Sequence, residues 1–302
     1  MDPEPSARAH VSRRALIIGG ASVVVLAGAA ALGVEENILP GRSTLSRVLG
    51  LDGPAGTIPN VTAGPMTTGE FTSAARLGKS CGFAISYPPD AAPGDRMPVL
   101  IALHGFGGSH RAAFYNGIGL DRFLAQTITG GAAPFAIASV DGGNSYWHKR
   151  ASGEDSGAMV TNEFIPLLAD HGLDVANVGF LGWSMGGFGA LHLGAALGAS
   201  RTAVVVAESP ALWSSAGRAA KGAFDNAADF VANTPVGRQN ELDGIPVLID
   251  CGTGDGFYPE AKVYAAGFTK HPAGGFVAGG HNDSYWRRMA PAQLAFAAKH
   301  LA

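Results

Sequence analysis

The residue in this chain best suited to act as a nucleophile is Ser184, in the run Gly182-Trp183-Ser184-Met185-Gly186-Gly187. An apolar stretch, 178–181, leads into it and an apolar, helix-compatible stretch follows. The serine is therefore expected at a sharp strand-to-helix turn, where small flanking residues let the hydroxyl stand clear of the sheet. In a chain with 44 glycines the Gly-x-Ser-x-Gly pattern alone is weak, so its partners must carry the reading. A serine hydroxyl is poorly nucleophilic near neutral pH and needs an imidazole to take its proton and a carboxylate to orient that imidazole. In the chain order Ser, acid, His, four histidines follow the serine. His192 lies along the helix that the serine opens, His271 precedes a predicted strand, and His300 is nearly terminal. His281 follows the last predicted strand, in Gly280-His281-Asn282-Asp283-Ser284-Tyr285-Trp286, and is the expected base. For the acid, Asp255 is preferred because it stands on a loop that can turn toward His281. Asp250, still at the strand end, and Glu208, after the preceding strand, are the alternatives.

Acyl transfer to a serine also places negative charge on the carbonyl oxygen, which calls for backbone donors. The loop His104-Gly105-Phe106-Gly107-Gly108 is expected to supply the Phe106 N–H, paired with the N–H of Met185. The segment Ser139-Val140-Asp141-Gly142-Gly143-Asn144-Ser145-Tyr146-Trp147 mixes aromatic and polar groups, which suits a pocket wall or a packed loop equally. Asp141, Tyr146 and Trp147, with Trp183 and His104, are the candidate substrate contacts. His104 also reads as a structural cap at the end of its strand.

Positioning these groups requires a particular order of elements. Strands are predicted at 71–77, 82–87, 99–103, 135–140, 178–181, 203–207, 247–249 and 275–278, with helix-compatible stretches alternating through the later part of the chain. That alternation predicts an α/β domain with a mostly parallel sheet and helices on both faces. Ser184 then follows the fifth strand and the His104–Gly108 loop the third, which is the order of the α/β-hydrolase fold. The small, polar stretch 214–239 is expected to form a modest cap.

Composition agrees with a folded enzyme. The 302 residues are 47% hydrophobic and 15% charged with a net charge of −3, which argues against bulk disorder and against a nucleic-acid partner. Cys81 and Cys251 are the two cysteines, too few for a disulfide framework or a Cys-rich zinc site. The expected chemistry needs no metal and no organic cofactor. At the N-terminus, Ser12-Arg13-Arg14 precedes an uncharged run, 15–34, rich in Ala, Val, Leu and Gly. Residues 1–34 are expected to be an export signal, with paired arginines resembling a twin-arginine signal, or an uncleaved membrane anchor. Either places the rest of the chain in the cell envelope or outside the cell. Residues 35–69 read as a linker or arm, and 70–302 as the catalytic domain.

Taken together, the His104–Gly108, Gly182–Gly187, Asp250–Asp255 and Gly280–Trp286 motifs resemble the esterase family of α/β-hydrolases that includes esterase D-type S-formylglutathione hydrolases and mycolyltransferases. The resemblance covers most of residues 70–302. It implies Asp255 as acid and His281 as base, and a serine esterase working through an acyl-enzyme on acyl esters, with lipids or glycolipids among possible partners. It leaves open an acyltransferase moving the acyl group to a sugar or lipid alcohol, and a non-catalytic binding protein on the same scaffold. The family's strand order places Cys81 and Cys251 on opposite halves of the sheet and so implies two free, buried thiols.

Overall fold

A computed structural model describes residues 52–302; the expected export or anchor segment, 1–34, and residues 35–51 of the expected arm lie outside the described residues. The central strands are β3 (Pro98–Leu103), β4 (Ala136–Val140), β5 (Asp174–Trp183), β6 (Thr202–Glu208) and β7 (Val247–Gly252). They are dense in Val, Ile, Leu and Ala, the composition of strands covered on both faces. With β1 (Met66–Ser73), β2 (Lys79–Ser86) and β8 (Ala273–Val277) they form an eight-stranded sheet of order β1-β2-β4-β3-β5-β6-β7-β8. The β1–β2 and β2–β4 pairs are antiparallel and every other pair is parallel. The parallel strands therefore end together, and the loops after β3, β5, β7 and β8 gather at one edge, where a site is assembled in such sheets.

The pleat divides the core. Val99, Ile101 and Leu103 of β3 point to one face, together with Phe180 of β5 and residues of helices α2 (Ser156–Met159), α3 (Ile165–Asp170), α4 (Met185–Leu197), α5 (Ala227–Asn233) and α6 (Tyr258–Ala266). Leu100 and Ala102 point to the other, under α1 (Leu120–Thr129) and α7 (Asp283–Leu301). Helix α4 is apolar nearly all round because it lies at the centre of its layer, with residues Met185–Leu191 all buried.

Several strand boundaries differ from expectation, most at β1 and β5. Strand β5 runs well beyond the predicted 178–181, from Asp174, which pairs with Pro98 of β3, to Trp183, which pairs with Glu208 of β6. Strand β1 opens at Met66, inside the stretch read as an arm, because the hairpin partner β2 pairs with it through Ser86. Cys81 lies on β2 and Cys251 on β7 with four strands between them. At about 4.8 Å per strand the separation is roughly 24 Å, beyond any disulfide, and both thiols are free and buried. Among the described residues, no helix is long and apolar enough to cross a membrane.

Candidate active site

Ser184 is the single residue between β5 and α4, at φ 57° and ψ −120°. A non-glycine residue there stores about 1–3 kcal/mol of strain and persists only when its surroundings hold it. Three hydrogen bonds do so: the Ser184 N–H donates to the Glu208 carbonyl at 3.0 Å, and the Ser184 carbonyl accepts from Phe188 at 3.1 Å and Ala211 at 3.0 Å. The glycines of the motif are required by contact. A Cβ on Gly182 would lie 2.2 Å from the Gly186 carbonyl oxygen, and one on Gly186 would lie 1.9 Å from the Leu103 carbonyl oxygen. Only hydrogen fits at either place, and the hydroxyl between them is thrust above the sheet edge.

His281 and Asp255 meet that hydroxyl. The His281 Nε2 lies 2.9 Å from Ser184 Oγ, and its Nδ1 lies 2.8 Å from Asp255 Oδ2. Asp255 is fully buried, and its other oxygen accepts the Phe257 N–H at 2.9 Å. A carboxylate with both oxygens engaged holds the imidazole with Nδ1–H toward the acid, which leaves the Nε2 lone pair facing the serine O–H. Two aromatic rings fix the plane of the imidazole: Trp286 at 5.1 Å and 86°, and Phe257 at 5.3 Å and 61°. The loop is anchored below by Asn282, whose Oδ1 caps α7 by accepting the Tyr285 N–H at 3.1 Å.

The loop after β3 abuts the serine. A Cβ on Gly105 would stand 3.6 Å from Ser184 Cβ, and Gly108 N–H closes a tight turn onto the Gly105 carbonyl at 3.0 Å. The Gly107 N–H donates to Asn144 Oδ1 at 2.7 Å, which ties this loop to the one after β4. Phe106 sits at the tip and is 60% exposed. Met185 is the first residue of α4, so its N–H has no intrahelical acceptor and adds the positive end of the helix dipole beside Ser184.

The remaining sequence candidates divide. His104 is fully buried, with Nδ1 donating to the Gly105 carbonyl at 2.8 Å and Nε2 accepting the Gly142 N–H at 3.0 Å, so it staples two loops together and offers no surface to a substrate. Burial, first, lowers its pKa and keeps it neutral, as this bonding pattern requires. Trp147 is also a core residue: it fills the space above Gly142 and Gly189, where a Cβ would lie within 2.4 Å of its ring. Asp141 binds His110 and the Gly82 N–H instead of the triad. Trp183 is buried against Trp286, whose Nε1 donates to Ser209 Oγ at 3.2 Å, and so supports the His281 loop from behind. Tyr146 alone of this group joins the surroundings of the triad, through an aromatic series that sequence reasoning missed: Phe106 to Tyr146 at 6.2 Å, Tyr146 to Trp213 at 5.7 Å, Trp213 to Phe257 at 5.6 Å, and Phe257 to His281 at 5.3 Å. Phe224 packs behind it and brings in the predicted cap, which Arg150 clamps through Asp225 at 2.8 Å.

The alternative acids lie side by side, paired in register on β6 and β7. Asp250 is held by Gln293 Nε2 at 3.1 Å and the Gly275 N–H at 2.9 Å. Glu208 is buried with its Oε1 unpartnered; burial, then the neighbouring Asp250, drives its pKa well above the carboxylate range. Among the described residues, no cluster of His, Cys, Asp and Glu is arranged to hold a metal.

Residues 74–296 match the family described as "Putative esterase". The chain belongs to that family. No curated protein matches this esterase in sequence. Among solved structures it is similar to the S-formylglutathione hydrolase from Agrobacterium tumefaciens, with 17% identity over 82% of this chain and 99% of that one and a TM-score of 0.67. It is similar to a ferulic acid esterase from Anaeromyces mucronatus at 16% identity, over 82% and 96% of the two chains, with a TM-score of 0.63. A fluorophosphonate-binding serine hydrolase from Staphylococcus aureus aligns at 15% identity over 78% and 99%, with a TM-score of 0.62. At these identities the likeness establishes the α/β-hydrolase fold. Membership in the family establishes the reaction class of this esterase as carboxylic-ester hydrolysis.

Proposed function

We propose that this esterase works by a Ser184–His281–Asp255 triad through an acyl-enzyme. The observation that carries the reading is the continuous relay of 2.9 Å and 2.8 Å contacts from the strained serine through the imidazole to a fully buried carboxylate. Ser184 Oγ attacks the ester carbonyl carbon as its proton passes to His281 Nε2, and the carbonyl oxygen becomes an oxyanion held by the Phe106 and Met185 N–H groups. Asp255 stabilises the imidazolium without itself taking the proton. Collapse of the tetrahedral intermediate breaks the C–O bond to the alcohol, which leaves with the proton from His281. Water then adds to the acyl-enzyme by the same route in reverse, releasing the acid.

The aromatic series from Phe106 through Tyr146 and Trp213 to Phe257 supports a bulky apolar or aromatic acyl group, in keeping with the ferulic acid bound by one structural neighbour. The paired arginines and the uncharged run 15–34 support export to the envelope or beyond. Substitution Ser184→Ala is expected to abolish aryl-ester turnover and fluorophosphonate labelling while leaving the thermal melt intact. Turnover reduced less than about a thousandfold would remove Ser184 from the mechanism. A series of p-nitrophenyl esters from acetyl to cinnamoyl tests the acyl preference, with kcat/KM rising toward the larger groups.

A further inference from the structure

Ser209, the residue that follows β6, stands directly behind the triad. It is fully buried, at φ 43°. A glycine would adopt that conformation without strain, whereas a serine holds it only against steric resistance. What the serine adds at this position is a hydroxyl.

The main chain on either side of Ser209 holds the nucleophile. The Glu208 carbonyl accepts the Ser184 N–H, and the Ala211 N–H donates to the Ser184 carbonyl, both at 3.0 Å. Between them the Ser209 N–H donates to the Asp250 carbonyl at 2.7 Å, which fastens the turn to β7. Helix α4 closes on this turn so tightly that a Cβ on Gly187 would lie 2.9 Å from both the Glu208 carbonyl oxygen and Pro210 Cα. The position of the turn and that of Ser184 are therefore fixed together.

The hydroxyl serves the base. Ser209 Oγ accepts the Nε1–H of Trp286 at 3.2 Å, both residues being buried. An indole N–H can only donate, so in the core it needs such an acceptor, and the bond fixes where the ring lies. That ring stands edge-on to the His281 imidazole, 5.1 Å away at 86°. Asp255 holds the imidazole at Nδ1 alone, so its swing about that bond is limited by the rings of Trp286 and Phe257, of which only Trp286 has a polar anchor. The Cys251 thiol lies beside both the Ser209 hydroxyl and the Asp255 carboxylate, so the contacts behind the site converge here.

We propose that Ser209 is a positioning residue of this esterase: its main chain fixes the nucleophile turn, its hydroxyl fixes Trp286, and through Trp286 it sets the approach of His281 Nε2 to Ser184 Oγ. The assignment rests on the triad reading above. Being fully buried, Ser209 does not meet the substrate and acts only through the two groups between which the proton passes.

The test uses the full chain and p-nitrophenyl acetate. Ser209→Gly removes the hydroxyl and suits the backbone, while Trp286→Phe keeps an aromatic ring beside His281 and removes the N–H. Each is expected to lower kcat about tenfold, the scale of a sub-ångström misplacement, with KM within about twofold of wild type. Fluorophosphonate labelling slows in step, since it needs the same Ser184–His281 contact. In the double variant the loss stays near that of either single variant if the two groups act as one bond, whereas separate packing effects multiply to about a hundredfold. Wild-type kcat in Ser209→Gly, or multiplied losses in the double variant, overturns the assignment. If Trp286→Phe does not fold, Ser209→Ala takes its place: a loss of kcat equal to that of Ser209→Gly assigns the effect to the hydroxyl, and an unequal one overturns the assignment. Ser184→Ala separates the two readings. Turnover retained there removes the triad and the basis of this role, whereas silence there beside an undiminished Ser209→Gly removes the positioning role alone.

Discussion

Two histidine–aspartate pairs stand at the strand ends of this molecule, and by distance they are the same: Nδ1 lies 2.8 Å from a carboxylate oxygen in His281–Asp255 and in His110–Asp141. Their surroundings make them different objects. Asp255 is fully buried, and the far nitrogen of His281 meets Ser184 Oγ at 2.9 Å. Asp141 keeps 30% of its side chain in solvent and also accepts the main-chain N–H groups of Gly82 and His110, at 3.1 Å and 2.7 Å, so that it pins β2 to the turn after β3. The pair itself is common hardware; what sets His281–Asp255 apart is a hydroxyl on the far nitrogen and exclusion of water from the carboxylate.

The comparison breaks most visibly at the acids. Asp255→Asn is expected to lower kcat by about ten-thousandfold with the fold retained, because the amide favours the wrong imidazole tautomer. Asp141→Asn is expected to leave kcat within a few-fold and instead to lower stability by about 1–3 kcal/mol, since half-buried N–H donors lose a charged acceptor. A denaturant titration measures the second effect and steady-state kinetics the first. Equal kinetic losses in both variants would show that the two pairs work together.

A smaller effect follows from pH. Burial pushes the Asp141 carboxyl up, but hydrogen bonds from the His110 main chain and ring, with that of Gly82, bring it net below its ordinary value. Its contribution to stability is therefore present above the unfolded pKa and is lost as pH falls through the folded one. The stability gap between wild type and Asp141→Asn should be full at neutral pH and close below the carboxylate range. Glu208 has the opposite sign. Its raised pKa means that folding takes up a proton, so its contribution declines as pH rises above the ordinary carboxylate value. The stability of Glu208→Gln relative to wild type should climb as pH rises above the ordinary carboxylate range in urea titrations. A flat difference would mean that Glu208 is ionised in the core.

The meeting of Ser184, Asp255 and His281 was legible in the sequence because each follows a strand whose apolar run is itself readable, and because the acid–base requirement admits few residue types in those loops. That the His104–Gly108 loop abuts Ser184 was legible for the same reason, being a matter of loop position. What escaped was whatever depends on loops meeting one another. Asp141 and Trp147 share a segment with Tyr146, but nothing in their spacing tells that Asp141 turns to His110 or that Trp147 fills the space above Gly142 and Gly189. Trp213, Phe224 and Phe257 lie in three different stretches and become one aromatic series only after folding. Residues 52–58 read as a linker because they attach through carbonyls and a glycine, which leave no pattern of side chains.

The two buried cysteines give the molecule its own clocks. Cys81 lies on the second strand from one edge of the sheet and Cys251 on the second from the other, and burial, first among the causes, raises both thiols so that little reactive thiolate forms in the folded protein. An alkylating reagent added to the native protein can then label each only as its end of the sheet opens. Peptide mapping of the two adducts over time would read, without a single substitution, whether the antiparallel hairpin side or the side bearing Asp255 comes apart first.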